Sequence, residues 1–254
     1  MAEDRVKFSR VGAVGVIRLD RPAQRNAIDA SMAAAVTAGF RELDADPSCT
    51  GIVLSGSGGS FCSGADTSGP GPTPGPDYTY SDNASAVMLR TIKASRTIVA
   101  AAVEGWAVGL GLALLGAATF AVGAEGSRYR LPEAGLGFFP LGVAPYLVDR
   151  MRPTAVVELA LSGRKASLDE AVAVGLVTHT AAAGAAEETA VALLQELGAI
   201  KVPVLEDARA FLRTCSSASG GDDVVDWAEQ QMTRVVLGMS SPPAEAQHEG
   251  TARR

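Results

Sequence analysis

Residues 98–140 read IVAAAVEGWAVGLGLALLGAATFAVGAEGSRYRLPEAGLGFFP, and the fold turns on how this stretch changes character along its length. Val99 to Val103 is an unbroken apolar run that predicts a buried strand. Gly105 to Gly111 is too rich in glycine for a helix interior and suits a tight turn that opens a helix. Such a turn exposes unpaired backbone N–H groups, with the positive end of the helix dipole behind them. Those donors suit an oxygen that gains negative charge during a reaction. Further on, Leu131-Pro132-Glu133 sets one carboxylate after a strand-like segment. A donor-rich turn and a nearby acid are the minimum apparatus for removing a proton next to a carbonyl.

Working outward, a second stretch has the same character. Thr50 to Leu54 reads as a strand and runs into SGSGGSFCSGADTSG at 55–69, where the backbone itself must be the functional surface. Upstream, Val6 to Leu19 reads as two short strands around Gly12. Pro22 forces an extended turn, and Asp29 N-caps a helix to about Asp46. The proline-rich GPGPTPGP at 69–76 is expected to be a surface loop, and Asp82 to Ser95 a helix. Downstream, helices are expected over Leu141–Asp149 and Pro153–Leu161. A further helix is capped by Ser167 with Glu170 in capping-box spacing and ended by Gly175. Residues 183–238 carry a helical pattern throughout, and the polar 240–254 is expected to fray. The order is strand-rich first and helical last, an α/β chain.

Composition narrows the function. The chain has 254 residues, 47% hydrophobic, with a formal net charge of -6, which suits one large core and a field that repels nucleic acid and anionic lipid. Cys49, Cys62 and Cys215 are widely spaced and the histidines are His179 and His248 alone. Disulfides, a metal centre and a histidine-based triad are therefore not expected, and a cytoplasmic location is. Ala107 to Ala124 is uncharged over a length that could span a membrane, but its glycines favour a buried core segment instead.

The segments DRPAQRNAI (20–28), GSFCSGAD (59–66), VEGWAVGLGLAL (103–114), LPEAGLGFFP (131–140) and LSGRKASLDEAVAVGLV (161–177), in this order, resemble the enoyl-CoA hydratase/isomerase (crotonase) superfamily. The resemblance implies a spiral of ββα repeats over residues 1–195 and a C-terminal helical region over 196–254 that mediates trimer formation. A homotrimer or dimer of trimers is the implied assembly. It also implies an acyl-CoA or enoyl-CoA thioester as ligand, with no cofactor beyond the CoA of the substrate. By that resemblance the oxyanion hole falls on the backbone N–H groups of Ala65, after Ser63-Gly64, and of Leu110, which follows Gly109 and stands where most relatives have glycine. The main chain at Ala23, Arg25 and Ala27 would line the CoA groove, with Arg21 or Arg25 near its phosphates. Asp66 would sit where the backbone holds the adenine end.

The acids set the expected reaction. Hydratases of the family use two glutamates; the first position falls on Ala113 and the second on Glu133. A single base can remove a proton at one carbon and return it at another, so the pattern resembles Δ3,Δ2-enoyl-CoA isomerases more than hydratases. Leu141 stands where ring-opening and dienoyl isomerases carry an aspartate, which argues against those. Glu104 and Glu125 are turn acids without a catalytic position. The alternatives are an enoyl-CoA hydratase of fatty-acid β-oxidation and a non-catalytic acyl-CoA-binding protein.

Overall fold

A glycine at position 12 lets the chain reverse and form the first hairpin. In a computed structural model that describes residues 5–68, 80–200 and 202–217, strands β1 (Val6–Val11) and β2 (Val14–Leu19) pair antiparallel about that glycine, whose φ is +62°. Helix α1 (Ala30–Ala45) starts where expected, because Asp29 accepts a hydrogen bond from the Met32 N–H. It buries Met32, Val36 and Phe40. Strand β3 (Gly51–Gly56) follows, then α2 (Ala84–Ala94), N-capped by Asn83.

The central stretch folds as β4 (Ile98–Val103), β5 (Trp106–Val108) and α3 (Leu110–Ala117). The β–β order then repeats as β6 (Phe120–Ala124) and β7 (Arg128–Arg130). Here the expectation of a plain turn over Gly105–Gly111 is corrected. Gly105 and Gly109 take positive φ values of +55° and +52°, and the three residues between them form a strand paired in parallel with β7. The apolar run at 107–124 is accordingly divided among strand, helix and strand, and no described helix is long and apolar enough to cross a membrane.

Of the helix expected over Leu141–Asp149, only α4 (Ala144–Leu147) is α-helical. Pro145 lies in its first turn, where a residue without an N–H is tolerated, and cannot continue a helix arriving from Leu141. Next come α5 (Pro153–Ser162), β8 (Ala166–Ser167), α6 (Leu168–Ala173), β9 (His179–Ala181) and α7 (Ala186–Leu197). The capping box at Ser167 and Glu170 is present in full.

Two layers result. The six-stranded sheet runs β1-β2-β3-β4-β6-β9, parallel from β2 onward, and a small sheet runs β5-β7-β8. Parallel strands covered on both faces read as continuous apolar runs, and β4 is buried at every position. The first compact unit ends at Gly198. Helix α8 (Val202–Ser217) belongs to the second unit and is described by itself. The expected proline-rich loop at 69–76, the continuation of the helical pattern to 238 and the frayed tail lie outside the described residues.

Candidate active site

Glu133 is delivered by β7. After Arg130 the chain buries Leu131, turns at Pro132, and starts a 3-10 helix over Glu133–Leu136 that Gly137 closes with φ +91°. Glu133 is 9% exposed, and its carboxylate Oε2 is buried without a hydrogen-bond partner among the described residues. Burial therefore pushes the Glu133 carboxyl above its ordinary value, because the charged form loses water and gains little in return. A buried carboxylate oxygen left without a donor costs stability and calls for a functional explanation.

The second donor turn lies against it. Gly109 N-caps α3 with φ 52° and ψ -114°, and its N–H donates to the Arg130 carbonyl, tying the turn to the strand that leads to Glu133. A Cβ on Gly109 would stand 2.7 Å from Glu133 Oε1 and displace the carboxylate, and the positive φ itself favours glycine. Leu110 is the first residue of α3, and its N–H meets no acceptor among the described residues. Its side chain is buried, as is every residue of α3, Ala113 included.

The first donor turn is built by backbone pairing to its two neighbours. Cys62 bridges to Ala107, and Ala65 bridges in parallel to Ile28. In the second bridge the bonds run from Ile28 N–H to the Gly64 carbonyl (2.9 Å) and from Asp66 N–H to the Ile28 carbonyl (2.8 Å). The opposed residue, Ala65, thereby points its own N–H and carbonyl away from Ile28, and its N–H is unpaired among the described residues. Gly64 has φ +109°, and a Cβ there would lie 3.3 Å from the Val108 carbonyl oxygen and 3.9 Å from Leu110 N. The two turns are thus neighbours, and Gly111 closes further on the Cys62 carbonyl. Desolvation pushes the buried Cys62 thiol up to about 12, so it is no nucleophile.

The segment 21–29 flanks the first turn. Ser63 N–H donates to the Arg25 carbonyl, and Ser63 Oγ to the Gln24 carbonyl. Ala23 and Arg25 are exposed, and Ala27 is half-buried. The Arg21 Nη1 pairs with Asp66 Oδ2 at 2.5 Å. Asp66 also accepts from Ser68, and Ser68 together with Arg21 holds the Asp66 carboxyl well below the usual range.

Sequence reasoning missed Asn26. It is fully buried with φ +58°, accepts from Arg21 N–H, and donates to the carbonyls of Ser57 and Ser60, fixing the strand end that feeds the first turn. The available signal was that asparagine tolerates left-handed backbone and carries both donors and an acceptor. Glu104 caps the start of α7 by accepting from Gly184 and Ala186 N–H groups, a structural task, and Leu141 is 75% exposed.

Residues 9–219 match the enoyl-CoA hydratase/isomerase family, and the chain belongs to it. Among curated relatives, carnitinyl-CoA dehydratase of Salmonella typhi is 32% identical over 192 residues, 75% of this chain and 73% of that protein. Among solved structures, an enoyl-CoA hydratase from Mycobacterium tuberculosis H37Rv is similar with a TM-score of 0.79 and 26% identity, covering 94% of this chain and 92% of that one. An enoyl-CoA hydratase/isomerase from Marinobacter aquaeolei also has a TM-score of 0.79, with 25% identity over 95% and 93% of the two chains. The protein is an enzyme of this family, with the α/β fold expected of it.

Proposed function

We propose that this enzyme binds an enoyl-CoA thioester and migrates its double bond from the 3,4 to the 2,3 position. The observation that carries this reading is the buried carboxylate of Glu133 beside the second donor turn, its Oε2 without a hydrogen-bond partner among the described residues, with Ala113 where a second acid would stand. Glu133 takes a proton from C2, the thioester oxygen gains charge between the Ala65 and Leu110 N–H groups, and the proton returns to C4. No water enters, and the electrons shift within the dienolate. The groove for CoA runs along the main chain at Ala23, Arg25, Ala27 and Ser63. We further infer that residues 196–254 assemble the chain into a homotrimer or dimer of trimers, that residues 1–195 hold the acyl-CoA site, and that the enzyme works in the cytoplasm. Sedimentation tests the assembly; a monomer at tens of micromolar overturns it.

A second reading is favoured by the dehydratase relative: addition or removal of water across the 2,3 double bond. A panel of 2-enoyl and 3-enoyl thioesters, scored separately for migration and hydration, decides between them. Migration is expected to dominate, and hydration faster than migration overturns the proposal. Glu133→Gln is expected to lower migration by roughly a hundredfold or more while thioester affinity stays within a few fold. An unchanged rate removes Glu133 as the base, and a parent that binds thioesters but turns none over is a binding protein. Only the ionised carboxylate accepts a proton. The rate should therefore fall about tenfold per pH unit below a midpoint that burial sets above the ordinary glutamate value.

A further inference from the structure

Arg21 and Asp66 occupy a chain of alternating charges that runs from the N-terminal strand to the first donor turn. Arg5 Nη1 pairs with Asp29 Oδ2 at 2.5 Å, and Arg21 Nη1 stands 3.9 Å from that same oxygen. The Arg21 Nη1 atom also donates to the Ala27 carbonyl at 3.3 Å and to Asp66 Oδ2 at 2.5 Å. The side chains of Arg21 and Asp66 are only 18% and 13% exposed, so water competes weakly for either. The backbone of Arg21 is fixed as well, because its N–H donates to the buried Asn26 side chain.

Asp66 is the residue after Ala65. Two backbone bonds to Ile28 clamp Ala65 on either side, and on its C-terminal side the turn is further held through the Asp66 side chain by Arg21 and by Ser68. Arg21 thus grips both ledges of the bridge at once: the Ala27 carbonyl next to Ile28, and the carboxylate next to Ala65. A single guanidinium nitrogen, Nη1, makes both contacts, so a charged donor shared between the two segments ties their positions together.

We propose that Arg21 is a positioning residue for the Ala65 N–H, acting through Asp66, and that it makes no phosphate contact. The proposal rests on the reading of Ala65 as a thioester-oxygen donor. A donor that must meet a developing charge is sensitive to small displacements, since a shift near 1 Å in such a site costs on the order of a hundredfold in rate.

The test compares two substrates in the full-length enzyme: a 3-enoyl-CoA and the same acyl group on pantetheine, which lacks the phosphates. Arg21→Gln is expected to lower kcat roughly tenfold to a hundredfold on both substrates, with KM within about threefold. Arg21→Lys should recover part of the loss. Asp66→Asn should reproduce it, and the double variant should be no slower than the worse single one. A loss confined to the CoA substrate and expressed in KM overturns the proposal in favour of a phosphate contact.

Amide hydrogen exchange at Ile28 and Asp66, read in the substrate-free enzyme, gives an independent arm. Arg21→Gln should speed both by about tenfold or more, because the bonds across the bridge open more readily. Unchanged exchange overturns the proposal whatever the kinetics show. If the parent turns over no thioester, the functional reading fails while the exchange arm still decides whether Arg21 holds the turn. Should Arg21→Gln fail to fold, Asp66→Asn carries both arms, since it keeps the side-chain shape.

Discussion

The two donor turns present the same group, a backbone N–H unpaired among the described residues, and are held by different physics. The turn at Ser63–Asp66 is fixed from outside. Bridges to Ile28 and Ala107 set its path, and an ion pair to Arg21 on another segment holds its end. The turn at Gly109–Leu110 is fixed from within. It has a left-handed glycine, a helix buried at every position behind it, and a carboxylate packed where a Cβ would be. Charge pairs yield gradually when one partner is weakened, whereas a backbone conformation open only to glycine is lost with any side chain. The first turn should therefore be adjustable by substitution and the second nearly all-or-none.

The sharpest way to break that contrast is Gly109→Ala. The new methyl would meet Glu133 Oε1 at 2.7 Å, and a φ of +52° with ψ -114° is outside the regions open to alanine. Turnover should fall by about a hundredfold to a thousandfold, with about 1–3 kcal/mol of stability lost to backbone strain. Steady-state kinetics beside denaturant unfolding measure both. Activity within tenfold of the parent would show that the second turn is not rigid.

Gly64→Ala probes the first turn in the same way and should cost less. Its φ of +109° also disfavours alanine, but the nearest atom, the Val108 carbonyl oxygen, lies 3.3 Å away, and the pairing to Ile28 can shift slightly. A loss of about tenfold is expected in kcat. A loss as large as that of Gly109→Ala would erase the distinction between the two turns.

Leu110→Ala sharpens the contrast from the other side, because it removes side chain and leaves the N–H in place. Turnover should stay within about threefold, while stability falls by about 2–4 kcal/mol for the buried leucine. A rate loss of tenfold or more at unchanged fold would mean that the isobutyl group itself shapes the acyl site, and that the donor alone does not account for position 110.

How much of this was legible in the sequence depended on the distance between partners along the chain. The Asp29 cap, the capping box of Ser167 and Glu170, the hairpin about Gly12 and the buried strand at Val99–Val103 all follow from chemistry within a few residues, and each stands where the sequence puts it. The glycine-rich turns and the lone acid after Pro132 were visible for the same reason, and their segments carried the family resemblance. What the sequence left undecided depended on partners brought close only when the sheets closed. Strand β5 exists because Arg128–Arg130 lies beside it. The helix expected from Leu141 shrank to Ala144–Leu147 around a proline in its first turn. Asn26 gained its roles from carbonyls of a later strand end, and Arg21 found Asp66 across 45 residues of chain. The nearness of Glu133 to Gly109 is likewise a product of the parallel pairing of β5 with β7. Local hydrogen bonding is written into residue order. The pairing of charges and the burial of the Glu133 carboxylate are decided by strand register, which only the folded chain supplies.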